Sequence, residues 1–292
     1  MTKILLTGIT GQVGQELQQT LSSIGEVIGV SRAELDLGQP DQIQPRIAEI
    51  KPQVIVNAAA YTAVDKSETE TDLAMAINTD APKAIAQASQ DIGATLVHIS
   101  TDYVFNGQNH TPYLETDQTD PLGVYGSSKL LGEEGVRQNC DRHIILRTAW
   151  VYGSRGHGNF VKTMLRLGAD REELRVVEDQ IGSPTWSYDI AVAITNLVAK
   201  SLDDSEIQGT YHFTNSGVAS WYDLAVAIFA EAKQLGFPLK IERVLPITTA
   251  DYPTPTQRPA YSVLSKVKIT ETLGVYPPHW RESLRKMLTE WK

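Results

Sequence analysis

The sequence has few of the features that would mark an exported or membrane protein. Cys140 is the only cysteine in 292 residues, so no intrachain disulfide framework can form, and a lone thiol suits a reducing compartment. No apolar run approaches the roughly 20 residues that a membrane-spanning helix requires. Residues 1–13 have neither a cleavage site nor the long apolar core of a secretion signal. We therefore expect a soluble cytoplasmic protein that does not associate with a membrane.

Clustered positive charge is also missing. The formal net charge is -9, and nucleic-acid binding needs Lys and Arg gathered on one face to neutralise phosphates. We therefore expect a small-molecule ligand and no nucleic-acid partner. The hydrophobic content of 41% and charged content of 21% are ordinary for a globular chain of one large or two modest domains.

A glycine-rich turn follows the first apolar stretch. Residues 3–7 predict a short strand, and Val13, Leu17 and Leu21 after the turn have helical spacing. In a strand–turn–helix unit, the free amides and the dipole of the helix favour a bound phosphate. The alternative is a tight turn that needs small residues only for packing. We predict that this turn binds a dinucleotide through Gly8, Thr10, Gly11, Gln12, Val13 and Gly14.

Strands and helices alternate beyond this turn. Further strands are predicted at 27–30, 54–57, 95–100 and 143–147, and helices at 72–92 and 125–138. This alternation predicts an α/β fold, a Rossmann-like doubly wound parallel sheet with a smaller C-terminal substrate-binding lobe. We assign residues 1–150 to the dinucleotide-binding domain, together with part of 187–215, and 151–292 mainly to the substrate lobe.

Tyr125 and Lys129 lie four residues apart on a predicted helix, so their side chains share one face. From composition alone, roughly 0.5 occurrences of Tyr-x-x-x-Lys are expected by chance in this chain. The pair is therefore informative only in combination with the glycine turn. A carbonyl that receives a hydride needs a proton, and Tyr125 is the candidate donor. An ammonium at ~5 Å and an effective dielectric of ~20 supplies about 3 kcal/mol towards acidifying a phenol. We expect Lys129 to lower the pKa of Tyr125 in this way, and both residues to contact the cofactor.

Thr101 ends a predicted apolar strand, where its hydroxyl could polarise the same carbonyl. The alternative is that Thr101 caps a helix, and that Tyr125 and Lys129 are unrelated residues of an exposed helix.

The end of the second predicted strand bears on cofactor choice. Ser31 and Arg32 stand where an NAD site usually has an acid for the ribose hydroxyls, and a nearby Arg accommodates the additional phosphate of NADP. This favours NADPH and leaves NADH open. Arg32 could instead be a solvated surface charge.

Seven stretches, in order along nearly the whole chain, resemble the extended short-chain dehydrogenase/reductase family. They are residues 8–14, 57–65, 100–105, 125–129, 147–153, 179–185 and 258–259. The resemblance implies NADPH-dependent reduction of a 4-keto sugar nucleotide, dTDP-4-dehydro-L-rhamnose, to dTDP-L-rhamnose, a precursor of cell-surface polysaccharide. Gly123 departs from an Asn often found near the family's Tyr.

The resemblance also implies roles for individual residues. Asp36 and Leu37 would flank the adenine, and Ala60, Tyr61 and Thr62 would line the cofactor. Thr101, Asp102 and Trp150 would contact the sugar nucleotide. Asp36 could instead cap a helix, and Trp150 could belong to the core.

Several basic residues, including Lys162 and Arg166, could bind the diphosphate of the sugar nucleotide. Arg258 is favoured, because Pro259 stiffens the backbone beside it. The resemblance further allows, without requiring, a homodimer and a magnesium ion near Glu16, Asp189 and Glu290. Three acids so far apart in sequence are more often solvated charges.

Other functions remain open at this stage. A related sugar dehydratase would carry Asp-Glu after the Thr, whereas this chain has Asp102 and Tyr103, which argues against water elimination. A sugar-nucleotide epimerase would keep its cofactor through turnover. A regulatory subunit of the methionine adenosyltransferase type would bind the dinucleotide without needing turnover.

Overall fold

The fold is described for residues 1–292 from a computed structural model. In chain order, the strands are β1 (Thr2–Thr7), β2 (Gly25–Val30), β3 (Val54–Asn57), β4 (Thr95–Thr101), β5 (His143–Thr148), β6 (Val151–Tyr152), β7 (Glu173–Val177), β8 (Ile181–Gly182), β9 (Thr185–Trp186), β10 (Gly209–His212), β11 (Ala219–Ser220) and β12 (Arg243–Ile247). The α-helices are α1 (Gln12–Thr20), α2 (Ile43–Ile50), α3 (Val64–Ser67), α4 (Thr71–Met75), α5 (Ala81–Ile92), α6 (Val124–Asn139), α7 (Phe160–Asp170), α8 (Ser187–Asp203), α9 (Trp221–Gln234), α10 (Val267–Leu273) and α11 (Trp280–Trp291). None of these helices is both long and apolar enough to cross a membrane.

Six parallel strands form the central sheet in the order β10-β5-β4-β3-β1-β2. The strand order reverses beside β1, because β2 lies on one side of it and β3 on the other. In such a doubly wound sheet, the carboxyl ends of the strands at the reversal border a crevice in which ligands bind. Thr7 and Asn57 lie side by side at this edge. The predicted Rossmann-like fold class is confirmed.

The alternation of side chains along each strand builds one core on each face of the sheet. Ile4 and Leu6 of β1 point to one face and pack in a core with residues of α1 and α8. Leu5 points to the other face, into a core with residues of α2 and α5. Because successive side chains of a strand point to opposite faces, a continuous apolar run is what a sheet covered on both sides requires.

The longest predicted helix has an irregular turn in its middle. The helical run from Thr71 to Ile92 comprises α4, a π-type turn at Ala76–Asp80 and α5. Pro82 has no N–H to donate to the carbonyl of Asn78, so the regular pattern of hydrogen bonds is interrupted at that point. Apolar periodicity correctly predicted the helix but does not reveal this turn.

Besides the two cores of the main sheet, a third hydrophobic core, which we call the C-terminal core, lies among α7, α9 and α11. Between α7 and α9, however, the chain returns to the main sheet: α8 contributes to the core beneath β1, and β10 pairs with β5 as an edge strand. The division of the chain near residue 150 stays a prediction.

Candidate active site

A cavity of about 660 Å³ opens at the carboxyl ends of the central strands. It is lined by apolar residues that belong to or pack against the two sheet cores and the C-terminal core, and by sixteen of the residues predicted to bind cofactor or substrate. These sixteen are Gly8, Thr10, Gly11, Gln12, Val13, Ser31, Arg32, Asp36, Leu37, Ala60, Thr62, Thr101, Asp102, Tyr125, Lys129 and Trp150. Three predicted residues, Gly14, Tyr61 and Arg258, do not line it.

The glycine turn presses closely against the neighbouring strand end. Gly8 has a φ of 73°, and a Cβ at this position would lie 2.6 Å from the backbone nitrogen of Ala59. The first turn of α1 has no side-chain cap, so its amides stay free for an anion. This geometry fits the diphosphate of a dinucleotide.

Gly14 has a packing role instead of a contact with the cavity. A Cβ on Gly14 would lie 2.0 Å from the carbonyl oxygen of Gly8, so only glycine lets α1 approach the turn this closely. Gly14 thus shapes the turn through its small size, and its predicted place in the cofactor site stays a prediction.

At the end of the cavity where Asp36 and Leu37 were predicted to flank an adenine, charges of both signs lie together. The guanidinium Nε of Arg32, which is 72% exposed, lies 3.4 Å from the Asp36 carboxylate. Asp36 also accepts a hydrogen bond from the N–H of Gly38. The Ser31 hydroxyl donates to Glu34, an acid that the sequence analysis did not single out. Arg32 is thus held only by a weak surface ion pair and is free to turn towards a phosphate.

At the other end of the cavity, Tyr125 and Lys129 project from the first turns of α6 and are both buried. Lys129 Nζ donates to the carbonyl oxygen of Ile99 at 2.7 Å and lies 3.2 Å from His98 Nε2. The ring of Tyr125 meets that of Tyr103 edge-on, with centroids 5.4 Å apart. The Thr101 side chain caps the turn at residues 102–104 by accepting from the N–H of Tyr103.

The pKa of Tyr125 lies above its ordinary value in this arrangement, and its expected acidification by Lys129 stays a prediction. Burial is the main cause of this rise, a hydrogen bond with Thr101 opposes it, and the charge of Asp102 adds to it. Burial also lowers the pKa of Lys129 to about 8, with Glu133 acting in the opposite direction. The sequence-based estimate treated Lys129 as a charged ammonium, and it omitted the cost of taking both groups out of water.

Asp102 is a buried carboxylate with an unused oxygen. Its Oδ1 accepts a hydrogen bond from the Thr101 hydroxyl at 3.1 Å, while its Oδ2 has no partner. Burial raises the pKa of Asp102 to about 6, and the neighbouring hydroxyls of Ser262 and Thr101 limit the rise. An unpaired buried oxygen beside the candidate proton donor suits a hydroxyl group of a bound ligand.

Tyr61 and Arg258 are occupied outside the cavity. The Tyr61 hydroxyl donates to Glu70 at 2.7 Å, so its side chain is directed away from the predicted cofactor site. Arg258 forms an ion pair with Asp65 at 2.9 Å. Burial raises the pKa of the Tyr103 phenol to about 12, and the charge of Arg258 and its hydrogen bond to Tyr103 oppose this rise. Arg258 is therefore one residue removed from the cavity, behind Tyr103.

The three acids that could have held magnesium do not gather. Glu16 forms an ion pair with Arg155 at 3.4 Å, and the charge of Glu290 raises the pKa of Glu16. Asp189 accepts hydrogen bonds from Asn215 and Ser283 instead. No group of three acidic, histidine or cysteine side chains forms a metal site, so a magnesium site at these residues is not supported.

Comparison with known proteins places this architecture in a family. The family model described as the RmlD substrate binding domain matches residues 1–292. The chain belongs to this family.

Two curated relatives of this RmlD-family chain match almost its whole length. The dTDP-4-dehydrorhamnose reductase of Escherichia coli (strain K12) is 42% identical over 291 residues, 98% of this chain and 97% of that protein. The spore coat polysaccharide biosynthesis protein SpsK of Bacillus subtilis (strain 168) is 46% identical over 291 residues, 99% of this chain and 98% of that protein. The family resemblance inferred from the motifs is confirmed.

Solved structures agree with the family assignment. The dTDP-4-dehydrorhamnose reductase of Bacillus anthracis str. Ames, in complex with NADP, superposes with a TM-score of 0.92 at 39% identity and covers 99% of this chain and 100% of its own. A UDP-glucose 4-epimerase of Thermus thermophilus, in complex with NAD, has a TM-score of 0.82 at 20% identity and covers 99% of each chain. This second likeness shows the shared fold alone.

Two residues at the site of this RmlD-family chain were missed by sequence reasoning. Trp221, at the start of α9, lines the cavity and stacks on Trp150. No local signal predicts this contact, because the two residues are brought together only by the packing of the C-terminal core. His98 contacts Lys129 from β4, and a histidine within an otherwise apolar buried strand was a signal that could have found it.

Proposed function

We propose that this protein is an NADPH-dependent oxidoreductase that reduces dTDP-4-dehydro-L-rhamnose to dTDP-L-rhamnose. The observation that carries the proposal is a single cavity that holds the glycine turn at one end and Thr101, Tyr125 and Lys129 at the other. Reductases of that name, 42% identical and matched over 98% of this chain, support the substrate. The NADP complex of the relative from Bacillus anthracis supports the choice of cofactor.

The cofactor would lie along the cavity between these two ends. The free amides of the first turn of α1, from Gln12 onward, would hold the diphosphate beside the turn of Gly8 and Gly11, because no side chain caps this helix start. The N–H of Gly11 itself donates to the Gly8 carbonyl at 2.9 Å. Arg32 would meet the additional phosphate of NADPH, and Asp36 and Leu37 would flank the adenine. Thr10, Val13, Ser31, Ala60 and Thr62 complete the lining that we assign to the cofactor. When bound, NADPH supplies a hydride to the carbonyl carbon of the sugar.

Tyr125 would donate the proton. Its O–H bond breaks as a new O–H bond forms on the carbonyl oxygen, so that hydride and proton together turn the ketone into an alcohol. Because burial raises the pKa of Tyr125, the phenol stays protonated at neutral pH and is ready to give up this proton to an oxygen that becomes strongly basic. Thr101 would orient the carbonyl through its hydroxyl, and Lys129 would contact the cofactor next to Tyr125.

The sugar nucleotide would bind among Asp102, Trp150 and Trp221. The free Oδ2 of Asp102 is suited to accept from a sugar hydroxyl, and the two indoles offer an apolar surface. Arg258 would act at the edge of this region, by positioning Tyr103 or by turning from Asp65 to the diphosphate. A homodimer, which the resemblance allows, stays a prediction.

The test is a direct assay with purified protein and dTDP-4-dehydro-L-rhamnose. We expect NADPH absorbance to fall in proportion to the dTDP-L-rhamnose that forms, and a Tyr125→Phe variant to show no such fall. Sugar conversion without net loss of NADPH would indicate an epimerase instead. Tight NADPH binding without any turnover, together with capture of a methionine adenosyltransferase, would favour a regulatory subunit.

A further inference from the structure

Gln180 is a buried polar side chain that the proposed function does not use. It lies between β7 and β8, in the stretch 179–185 that the sequence analysis singled out, and only 6% of it is exposed. A side-chain amide has N–H donors as well as an acceptor oxygen, so a buried one needs partners of both kinds. The structure supplies both, in the indole N–H of Trp221 and the hydroxyl of Thr249.

The pairing of two short strands brings Gln180 opposite Trp221. β8 and β11 are antiparallel, with Gly182 opposite Ala219. Two steps further along the same register, Gln180 lies opposite Trp221, because the partners in an antiparallel pair run in opposite directions. Side chains two residues apart on a strand point to the same side. Gly182 therefore lies against the indole of Trp150, while Gln180 reaches that of Trp221.

The direction of each hydrogen bond in this group is fixed by its two ends. The indole N–H of Trp221 can only donate, so it is Gln180 Oε1 that faces it, at 3.1 Å. The amide nitrogen Nε2 then faces the Thr249 hydroxyl at 3.1 Å and donates to it. This hydroxyl donates in turn to the carboxylate of Asp179 at 2.6 Å. Turning the amide over would place a donor against the donor of Trp221, so only one orientation of Gln180 satisfies every group.

The partner of the amide nitrogen is itself firmly held. β7 and β12 pair in parallel, and the N–H of Glu178 continues this pairing beyond the end of β7 by donating to the carbonyl of Ile247 at 2.9 Å. Asp179 and Thr249 follow directly, and the backbone N–H of Thr249 donates to both carboxylate oxygens of Asp179 at 2.9 Å. Gln180 is thus braced by two paired strands and not by a free loop.

We propose that Gln180 is a positioning residue for the sugar nucleotide, which accepts the indole N–H of Trp221 and thereby holds the stack of Trp221 on Trp150 as a fixed wall. The inference rests on the proposed function, since that function places the sugar nucleotide against this stack. Because the N–H is bonded within the protein, Trp221 offers a ligand only its ring. The wall therefore selects by apolar contact and not by hydrogen bonding.

The first experiment observes the indole N–H without relying on activity. The chain has five tryptophans, so NMR of the full chain with isotope-labelled tryptophan gives one indole N–H signal for each, and Trp221→Phe identifies that of Trp221. In Gln180→Met, which has a similar length but no amide, this hydrogen should exchange with water at least about tenfold faster. The signals of Trp280 and Trp291, in α11, should stay unchanged. An unchanged Trp221 signal would overturn the inference.

The second experiment separates positioning from a general loss of structure. In Gln180→Met, KM for dTDP-4-dehydro-L-rhamnose should rise about three- to tenfold, while kcat and KM for NADPH change by less than about twofold. Trp221→Phe keeps an aromatic ring but has no N–H. Adding Gln180→Met to Trp221→Phe should therefore raise KM no further. If the two effects multiply in the double variant, Gln180 does not act through the indole and the inference fails.

Gln208→Met is the matched control, since Gln208 is an exposed glutamine beyond the end of α8. It should leave both the Trp221 signal and KM unchanged, and equal effects in Gln180→Met and Gln208→Met would contradict the inference. If Gln180→Met does not fold, Thr249→Val takes its place. Because Thr249→Val removes the partner of Nε2, it should change the Trp221 signal and KM in the same direction, and no change would count against the proposal.

The two proposals can fail separately. If the protein does not reduce the sugar, the proposed function fails, and the Trp221 signal in Gln180→Met still decides whether Gln180 holds this indole. If the protein reduces the sugar and KM is the same in Gln180→Met as in the unchanged protein, the proposed function stands and the positioning role of Gln180 fails.

Discussion

The indole of Trp150 stacks face to face on that of Trp221, with ring centroids 3.6 Å apart and an interplanar angle of 3°. Trp150 adopts a left-handed φ of 49°, which is rare for a bulky residue and is held here by surrounding contacts. Gly182 also lies against this indole, where any Cβ would collide with the ring. The stack therefore fixes one wall of the cavity by joining the end of the main sheet to α9.

Removing one member of the stack should weaken substrate binding. In Trp221→Ala, Trp150 loses its partner, and an aromatic pair contributes about 0.5–1.5 kcal/mol. We expect KM for the sugar nucleotide to rise about three- to tenfold, with a smaller change in KM for NADPH, as measured by steady-state kinetics. Trp291→Ala, which removes an indole from the end of α11, serves as the control. Equal KM values in the two variants would show that the stack has no part in binding.

The candidate acid can be tested against a tyrosine that the structure places outside the cavity. Tyr125→Phe removes the proton donor, and general acids typically contribute 10²- to 10⁴-fold, so kcat should fall by about this factor. Affinity for NADPH, measured by fluorescence titration, should change little. Tyr61→Phe should retain turnover, because its hydroxyl bonds to Glu70. A Tyr125→Phe enzyme with normal kcat would remove Tyr125 from its role.

Gly8 combines an unusual backbone conformation with a close contact. In Gly8→Ala, the left-handed conformation costs about 1 kcal/mol, and the new Cβ also collides with the backbone of Ala58 and Ala59. Gly93→Ala meets the same conformational cost at φ 69° but has nothing within 4 Å. We expect Gly8→Ala to lower the free energy of unfolding more than Gly93→Ala does, and to lose NADPH affinity. Denaturant unfolding and NADPH titration of both variants measure these effects, and equal losses would contradict the close contact.

Asp102 should make stability depend on pH. Burial raises its pKa to about 6 in the folded protein, against 3.8 for the ordinary group. The folded state therefore favours the protonated form, so the associated stability is present below about pH 3.8 and is lost as pH rises through about 6. The difference of about two pKa units corresponds to at most about 3 kcal/mol.

An Asp102→Asn variant, which cannot ionise, should thus have a higher free energy of unfolding at pH 7 by up to about 3 kcal/mol. This gain should vanish below about pH 4, as measured by denaturant unfolding across the pH range. Asp91→Asn, at an exposed carboxylate, should show no comparable pH-dependent gain. A gain for Asp102→Asn that is the same at pH 4 and pH 7 would argue against a raised pKa.

Arg32 should decide the preference between the two nicotinamide cofactors. In Arg32→Ala, the additional phosphate of NADPH loses a charge-assisted contact, so kcat/KM for NADPH should fall about tenfold, while that for NADH changes little. The exposed Arg171, beyond the end of α7, provides the control variant Arg171→Ala. If Arg32→Ala and the unchanged protein discriminate equally between NADPH and NADH, another group must read this phosphate.

Much of the main sheet follows directly from the local sequence pattern. The strand predicted at 54–57 coincides with β3, and the strand predicted at 95–100 ends one residue before β4 does. These runs are recognisable because a strand that is buried on both faces must be continuously apolar. The glycine turn and the helix that carries Tyr125 and Lys129 are equally local, since they depend on backbone freedom and on the four-residue spacing of one helix face.

Tertiary structure decided what the sequence pattern could not. Lys129 was expected as a charged neighbour that acidifies Tyr125, but burial lowers its pKa to about 8, and its Nζ contacts His98, 31 residues earlier in the chain. Trp221 faces Trp150 only because α9 packs in the C-terminal core, and Arg258 is held behind Tyr103 by Asp65. Local spacing thus determined which groups are available, because hydrophobic periodicity and backbone conformation act over a few residues. Their protonation states and partners depend on burial and on contacts between distant segments, which exist only once the chain has folded.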